Sequence, residues 1–193
     1  MKNSLRSIFA LMLMSTLLFT STSCKDDDPE PGADGELITM LKITLVPVGK
    51  TQTVVGTFSD PDGPGGNQAT VSTMRLEANT TYNATVTLFD ESKTPAVELT
   101  QEIQTEADEH ELFYQALNNL VLSVTKTDKD KAQRPIGLKA QVVTSGKSSG
   151  TLRITLKHQP NNLKVGANDP NREQTGLTRG ETDVQADFPV IVE

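Results

Sequence analysis

Apolar and polar residues alternate along most of this chain, and short clusters of turn-forming residues interrupt the alternation. The period of two residues is the spacing of a β-strand that buries one of its faces. The pattern is clearest at Tyr82, Ala84, Val86 and Leu88, which lie two residues apart. No stretch of the domain shows a long run at helical spacing. We therefore expect a domain built almost entirely of strands.

About nine strands are predicted, with turn-forming residues between them. The first strand is expected to end near Val46 and Pro47, a single strand to occupy residues 70–76, and the last to run from Val184 to Val192. Short strands in this number are typical of an all-β fold, an antiparallel β-sandwich of the immunoglobulin-like kind. A closed β-barrel is the alternative.

The segment from Ala96 to His110 has two interpretations. Val97 and Leu99 alternate as in a strand, whereas Ile103 and His110 lie at helical spacing. We predict a strand that ends near Gln104 and is followed by a turn.

A serine motif lies in a predicted connection at residues 145–150. The pattern G-x-S-x-G is centred on Ser148, and in hydrolases it places a nucleophile between a strand and a helix. Because a strand is expected at residues 151–157, we interpret the motif as a hairpin turn and expect no enzymatic activity. Residues 161–180 are predicted to form a long polar loop.

Residues 1–23 have the composition of a secretory signal peptide. Lys2 and Arg6 precede an apolar stretch at residues 8–19, which is too short to span a bilayer stably. We predict that residues 1–23 are removed and that Cys24 becomes the first residue of the mature chain.

Two kinds of cleavage fit the residues before Cys24. Ser21 and Ser23 suit an ordinary signal peptidase, which would release a soluble protein. Cys24 instead resembles the lipobox cysteine of bacterial lipoproteins, although Ser21 stands where Leu is commonest. Cys24 is the only cysteine of the chain, so a disulfide within the chain is ruled out. We therefore predict lipidation at Cys24.

The sequence after Cys24 resembles an address signal. Lys25 followed by three aspartates is similar to the signal of Bacteroidota surface lipoproteins. That resemblance implies a lipid anchor in the outer membrane and a protein that faces outward. An acidic linker without an address is the alternative. Residues 24–35 are predicted to be a lipidated tether, and residues 36–193 a single domain, which is long enough to bury a large core.

The charge of the mature chain argues against some partners. Without residues 1–23 the chain has 16 basic and 25 acidic residues, a net charge of −9. A surface this acidic disfavours nucleic acid and anionic membrane surfaces. It is compatible with the binding of cations.

Two histidines and several acids form the first candidate metal site. Glu106, Asp108 and His110 lie close together in the sequence, and His158 is the only other histidine. If both histidines met beside one acid, they would suit zinc with one coordination position left open. A structural role is the favoured interpretation, because a histidine at a strand end commonly binds a backbone carbonyl.

A glycine-rich loop is the second candidate. Asp60 and Asp62 lie two residues apart within residues 60–67, an arrangement seen in calcium loops. The EF-hand spacing is missing, and both aspartates precede typical turn residues. An ordinary loop is therefore favoured over a calcium site.

Several stretches of the mature chain resemble a family of small Bacteroidota lipoproteins of uncertain function. They are residues 57–63, 76–82, 106–110, 156–160 and 180–183. The resemblance implies a role beside an outer-membrane receptor protein in an uptake system. The leading expectation is a non-enzymatic binding module without a cofactor, and the alternative is a lipoprotein that binds a divalent metal.

Overall fold

Two β-sheets pack face to face in the computed structural model, which describes residues 36–193. The strands are β1 (Met40–Pro47), β2 (Val54–Ser59), β3 (Thr70–Val71), β4 (Met74–Leu76), β5 (Thr81–Asp90), β6 (Val97–Glu98), β7 (His110–Leu117), β8 (Leu122–Lys126), β9 (Lys139–Thr144), β10 (Ser148–His158) and β11 (Glu181–Val192). The helices are α1 (Thr100–Thr105) and α2 (Arg172–Leu177). The predicted all-β sandwich is confirmed.

The two sheets differ in size. The seven-stranded sheet has the order β3-β2-β1-β5-β9-β8, and β6 pairs with the end of β5. The four-stranded sheet has the order β4-β11-β10-β7. Within residues 36–193, the only parallel strand pair is β4 with β11. The sheets remain separate, so the domain is a sandwich and not a closed barrel.

Inward-pointing side chains from both sheets form one apolar core. From β5, Tyr82, Ala84, Val86 and Leu88 are each at most 3% exposed. Buried side chains of the facing sheet are Leu112, Leu152, Ile154, Leu156, Ala186, Phe188 and Val190. Each large apolar side chain buried in this way stabilises the fold by roughly 1.5–3 kcal/mol. The period-two alternation of the sequence thus corresponds to the two faces of each sheet.

The chain passes between the sheets at two places where the sequence predicted otherwise. The single strand expected at residues 70–76 is divided into β3, which pairs with β2, and β4, which pairs with β11. Residues 145–147 join β9 to β10, which belong to different sheets. The connection is therefore a crossover and not the predicted hairpin.

The segment before β7 is mainly helical, which corrects the strand predicted there. Only Val97 and Glu98 form a strand, and α1 follows at once. Ile103 of α1 is completely buried, and Leu99 and Ala107 are at most 9% exposed. These three apolar residues are spaced four residues apart, which is the spacing of one helix face. The segment therefore follows this spacing and not the strand-like alternation of Val97 and Leu99.

The region predicted as a polar loop contains α2 and packs on the outer face of the four-stranded sheet. Gly176 lies against the ring of Phe113, and a β-carbon at this position would collide with that ring. Val165 and Lys164 are also buried. Residues 161–180 therefore cover part of the sheet.

The signal peptide, the lipidation of Cys24 and the tether stay predictions, because residues 1–35 lie outside the described residues. Among residues 36–193, no helix has the length and hydropathy needed to cross a membrane.

The core predicts a large difference between two identical substitutions. Leu152 is completely buried, whereas Leu163 is 40% exposed. We expect Leu152→Ala to lower the free energy of unfolding by about 2–5 kcal/mol, and Leu163→Ala to change it by less than about 0.5 kcal/mol. Urea unfolding of both variants measures the difference. Equal losses would contradict the assignment of Leu152 to the core.

Candidate functional site

The two histidines of the chain meet at one end of the sandwich. His110 begins β7 and His158 ends β10, and the two residues are direct partners across these strands. Their rings are stacked, with centroids 4.6 Å apart and planes 8° from parallel. His110 is completely buried. The inner rows of Leu112 and Leu156 therefore end in a histidine pair.

Two carboxylates complete a cluster around His110. Its Nε2 lies 3.3 Å from Glu36 Oε2 and 3.8 Å from Asp183 Oδ2. These three ligand atoms all lie within 4.8 Å of one another. The side chains of Glu36 and Asp183 are 12% and 5% exposed. The three residues come from the segment before β1, from β7 and from β11, so the fold brings together distant parts of the sequence.

A β-bulge directs Asp183 into this cluster. In the ladder between β10 and β11, Leu156 pairs with Val184, but Lys157 pairs with Thr182. Asp183 is the extra residue between these pairs. A bulge changes the direction of a side chain without changing the rest of the ladder. Asp183 and Val184 consequently both point toward the interior.

The protonation of His110 follows from its hydrogen bond. The Nδ1 atom lies 3.2 Å from the backbone oxygen of Glu106. Because a carbonyl oxygen only accepts hydrogen bonds, Nδ1 must carry the proton and donate it. In neutral His110 the lone pair of Nε2 then faces the carboxylates of Glu36 and Asp183. Three electron-rich atoms thus point at one another.

Burial favours the uncharged forms of Asp183 and His110. Burial raises the pKa of Asp183 to about 7, an effect reinforced by Glu36 and opposed by His158. Burial lowers the pKa of His110, although Glu36 acts in the opposite direction. Glu36 Oε2, His110 Nε2 and Asp183 Oδ2 are buried without any hydrogen-bond partner. A positive charge among them would remove this electrostatic conflict.

His158 packs against the ring of His110 and does not point into the cluster. Its Nε2 lies 3.5 Å from Glu109 Oε2. Since the two imidazole rings are stacked and nearly parallel, an ion in the plane of the His110 ring would lie well outside the plane of the His158 ring. The two histidines do lie together, which was the condition for a zinc site that they share, but the stacked arrangement does not suit shared coordination of one ion.

The acids predicted beside His110 have different positions. The carboxylate of Glu106 is 4.0 Å from His110 Nδ1 and forms a second acidic group with Glu36 and Glu102, in which Glu102 and Glu106 are exposed. Asp108 instead lines a groove of about 320 Å³, and its backbone oxygen accepts a hydrogen bond from Arg134. Asp108 is in neither of the two groups of side chains in residues 36–193 whose geometry could hold a metal ion.

The loop with Asp60 and Asp62 is closed by its own hydrogen bonds. Asp62 Oδ2 accepts bonds of 2.8 Å and 2.7 Å from the backbone and side-chain nitrogens of Asn67. These bonds lower the pKa of Asp62. No third histidine, cysteine or acidic side chain joins the two aspartates in a group of possible metal ligands within the described part of the chain. The geometry is that of the turn favoured by the sequence.

Sequence reasoning missed Glu36 and Asp183. Glu36 follows the predicted tether, where an acidic residue is unremarkable. Asp183 precedes Val184, the first apolar residue of the last alternating stretch. That alternation predicts that the side chain of Asp183 points to solvent. The sequence carried one weak signal, since the glycine at position 180 is typical of a tight turn. In the structure Gly180 has φ +67° and lies just before the bulge.

A buried network of charges holds the start of β7 from the opposite face. Glu111 is completely buried, receives a 2.7 Å hydrogen bond from Lys126 and pairs with Arg172. Lys164 donates hydrogen bonds of 2.5 Å and 2.8 Å to the backbone oxygens of Ala107 and His110. Burial lowers the pKa of Lys164 to about 8, against the attraction of nearby acids. The turn that presents His110 is thus fixed by buried cations.

Comparisons with known proteins gave no relative. No protein-family description, no curated protein and no solved structure matches this chain. The geometry of the site is therefore the basis for assigning a function.

The charge network predicts a strong effect of Glu111→Ala. This change leaves Lys126 and Arg172, whose side chains are 7% and 9% exposed, without their buried partner. We expect a loss of about 3–5 kcal/mol in the free energy of unfolding. The control is Asp187→Ala, which breaks a half-exposed pair with Arg153 and should cost less than about 1 kcal/mol. Urea unfolding compares the two, and similar losses would show that the network is not coupled.

The conformation of Gly180 predicts that two glycine-to-alanine substitutions differ in their effect on stability. A β-carbon at Gly180 would collide with the backbone oxygen of His158, and φ is +67°. We expect Gly180→Ala to lower the free energy of unfolding by about 1–3 kcal/mol. At Gly146 no atom lies within 4 Å of the added carbon, so Gly146→Ala should be nearly neutral. Thermal unfolding distinguishes them, and a neutral Gly180→Ala would contradict the described turn.

Proposed function

We propose that this chain is an exported, lipid-anchored protein whose folded domain is a non-enzymatic binding module. Its binding site is the cluster of Glu36, His110 and Asp183. The observation that carries the proposal is the concentration of unsatisfied polar atoms there. Of seven buried side-chain atoms without a partner in residues 36–193, three belong to this cluster.

Unsatisfied polar atoms are costly, and their grouping supports a role in binding. Each buried polar group that lacks a hydrogen bond costs roughly 1–3 kcal/mol. Native proteins pair most such groups, and the exceptions often have a functional reason. A group of three at one end of the sandwich is best explained by a ligand that satisfies them together.

The proposed anchor is Cys24. The sulfur would carry the lipid, and residues 24–35 would join it to the domain that begins at Glu36. Twelve residues span at most about 40 Å when extended. The domain would therefore remain close to the membrane that holds the anchor, with the outer face of the outer membrane as the proposed location.

The surroundings of Ser148 support a function without catalysis by this residue. Its hydroxyl accepts a 3.1 Å hydrogen bond from the backbone nitrogen of Val121. Ser148 begins β10, so a strand follows it and not a helix. A nucleophile elbow requires the helix.

The proposed partner is an outer-membrane receptor protein of an uptake system. This part of the proposal depends on the resemblance of residues 24–28 to surface lipoprotein signals. The acidic mature chain, with a net charge of −9, would also retain cations close to the cell surface.

Lipidation is tested by metabolic labelling with a palmitate analogue. We expect label on the wild-type chain and none on Cys24→Ala. The control is Ser23→Ala, which keeps the cysteine and a small residue before it and should retain the label. Label on Cys24→Ala, or an unlabelled wild-type chain, would remove the anchor from the proposal. Protease treatment of intact cells then tests whether the domain faces outward.

A further inference from the structure

We infer that Glu36, His110 and Asp183 form a binding site for a divalent transition-metal ion of the zinc class, through Glu36 Oε2, His110 Nε2 and Asp183 Oδ2. The inference rests on the proposed binding function and names the ligand of that site. It differs from the expectation from the sequence, in which His110 and His158 were the paired ligands.

The distances suit a small ion. Zinc binds nitrogen and carboxylate oxygen at about 2.0–2.2 Å in tetrahedral geometry. Ligand atoms of such a site are then separated by roughly 3.3–3.5 Å. The separation of His110 Nε2 from Glu36 Oε2 is already 3.3 Å, and Asp183 Oδ2 is 3.8 Å from the same nitrogen. Small rotations of the carboxylates would complete the geometry.

The protonation of His110 is that of a metal ligand. Its Nδ1–H donates to the backbone oxygen of Glu106, and metal-binding histidines typically fix their free nitrogen in this way. The hydrogen bond from Lys164 to the backbone oxygen of His110 further restrains the residue. His110 is completely buried and its Nε2 has no partner. An unpartnered ligand atom of a buried histidine therefore points at two carboxylates.

The charges also match. Neutral His110 with ionised Glu36 and Asp183 carries two negative charges, which a divalent ion would neutralise. One hydrogen ion would remove only half of this charge. Binding of the metal would thus offset the cost of burying both carboxylates.

The ligand set favours zinc over calcium. Calcium takes six to eight oxygen ligands at 2.3–2.6 Å, whereas this site offers two carboxylates and an imidazole within 4.8 Å. Imidazole nitrogen suits zinc, copper and nickel. The fourth position of a tetrahedral ion would be left to water or to a ligand from a partner.

A second acidic group shares Glu36 with the proposed site and would attract cations toward it. Glu36, Glu102 and Glu106 lie within 4.8 Å of one another, and the last two are exposed. Their negative potential would raise the local concentration of cations beside Glu36. We assign these exposed acids a role in entry and not in coordination.

The test is zinc titration by isothermal calorimetry of the full chain in detergent. All proteins carry Cys24→Ser, so that the thiol cannot bind zinc, and are first treated with chelator. We expect one zinc ion per chain. Asp183→Asn and Glu36→Gln conserve shape and should each weaken binding by more than about tenfold.

One further variant keeps the test decisive. His158→Phe preserves an aromatic ring beside His110 and should bind zinc as the parent does. If His158→Phe abolished binding while Glu36→Gln did not, the histidine pair would be the site and the proposed ligand set would be wrong. Thermal unfolding without metal checks each fold, and Asp183→Asn should be at least as stable as the parent because a buried carboxylate is removed.

The remaining outcomes overturn the inference in separate ways. A parent chain that bound no zinc would exclude the metal site. A tenfold excess of calcium that displaced zinc would exclude the zinc class. Neither result would alter palmitate labelling at Cys24, so failure of the metal site is distinguishable from failure of the proposed anchor.

Discussion

The packing of two apolar sheet faces against each other is the interaction on which the domain depends. Inward-pointing side chains of both sheets form one core, as Val86 and Phe188 do from opposite sheets. At one end the inner rows of β7 and β10 finish in His110 and His158 instead of leucine. The two packed sheets therefore exclude water from these polar atoms as well as from the core. Electrostatic interactions among the buried polar atoms are stronger than at the surface.

The polar end is held from both faces of the four-stranded sheet. On the inner face the stacked histidines and Asp183 meet, and on the outer face Glu111 binds Lys126 and Arg172. Neighbouring residues of β7 point in opposite directions, so one strand carries the candidate ligand and the buried acid beside it. Burying so many charges is costly, and the apolar core offsets that cost. The buried charges thus lower the free energy of unfolding while they fix the positions of the candidate ligand atoms.

The sequence predicted the architecture wherever the alternation was long. β5 and β11 show this, because one residue in two is buried along nearly their whole length. Prediction failed where the apolar pattern was short or fitted both a helix and a strand. Ile103 is an example, because it is buried by a helix of only six residues. The acids beside His110 in the sequence and the presence of one other histidine raised the hypothesis of a site at His110. Glu36 could not be found in this way, because it precedes a strand of the other sheet and lies close to His110 only through the packing of the two sheets.

The bulge at Asp183 has a consequence for how such a site arises in a lineage. Without this residue, Val184 would follow Thr182, and the ladder with Leu156 and Lys157 would be unbroken. The core positions of β11 would keep their partners. Gain or loss of one codon therefore separates a plain sandwich from one with an acidic group inside its end. Related domains with the same sheets could differ in this chemistry through an insertion alone, which a comparison of substitutions would overlook.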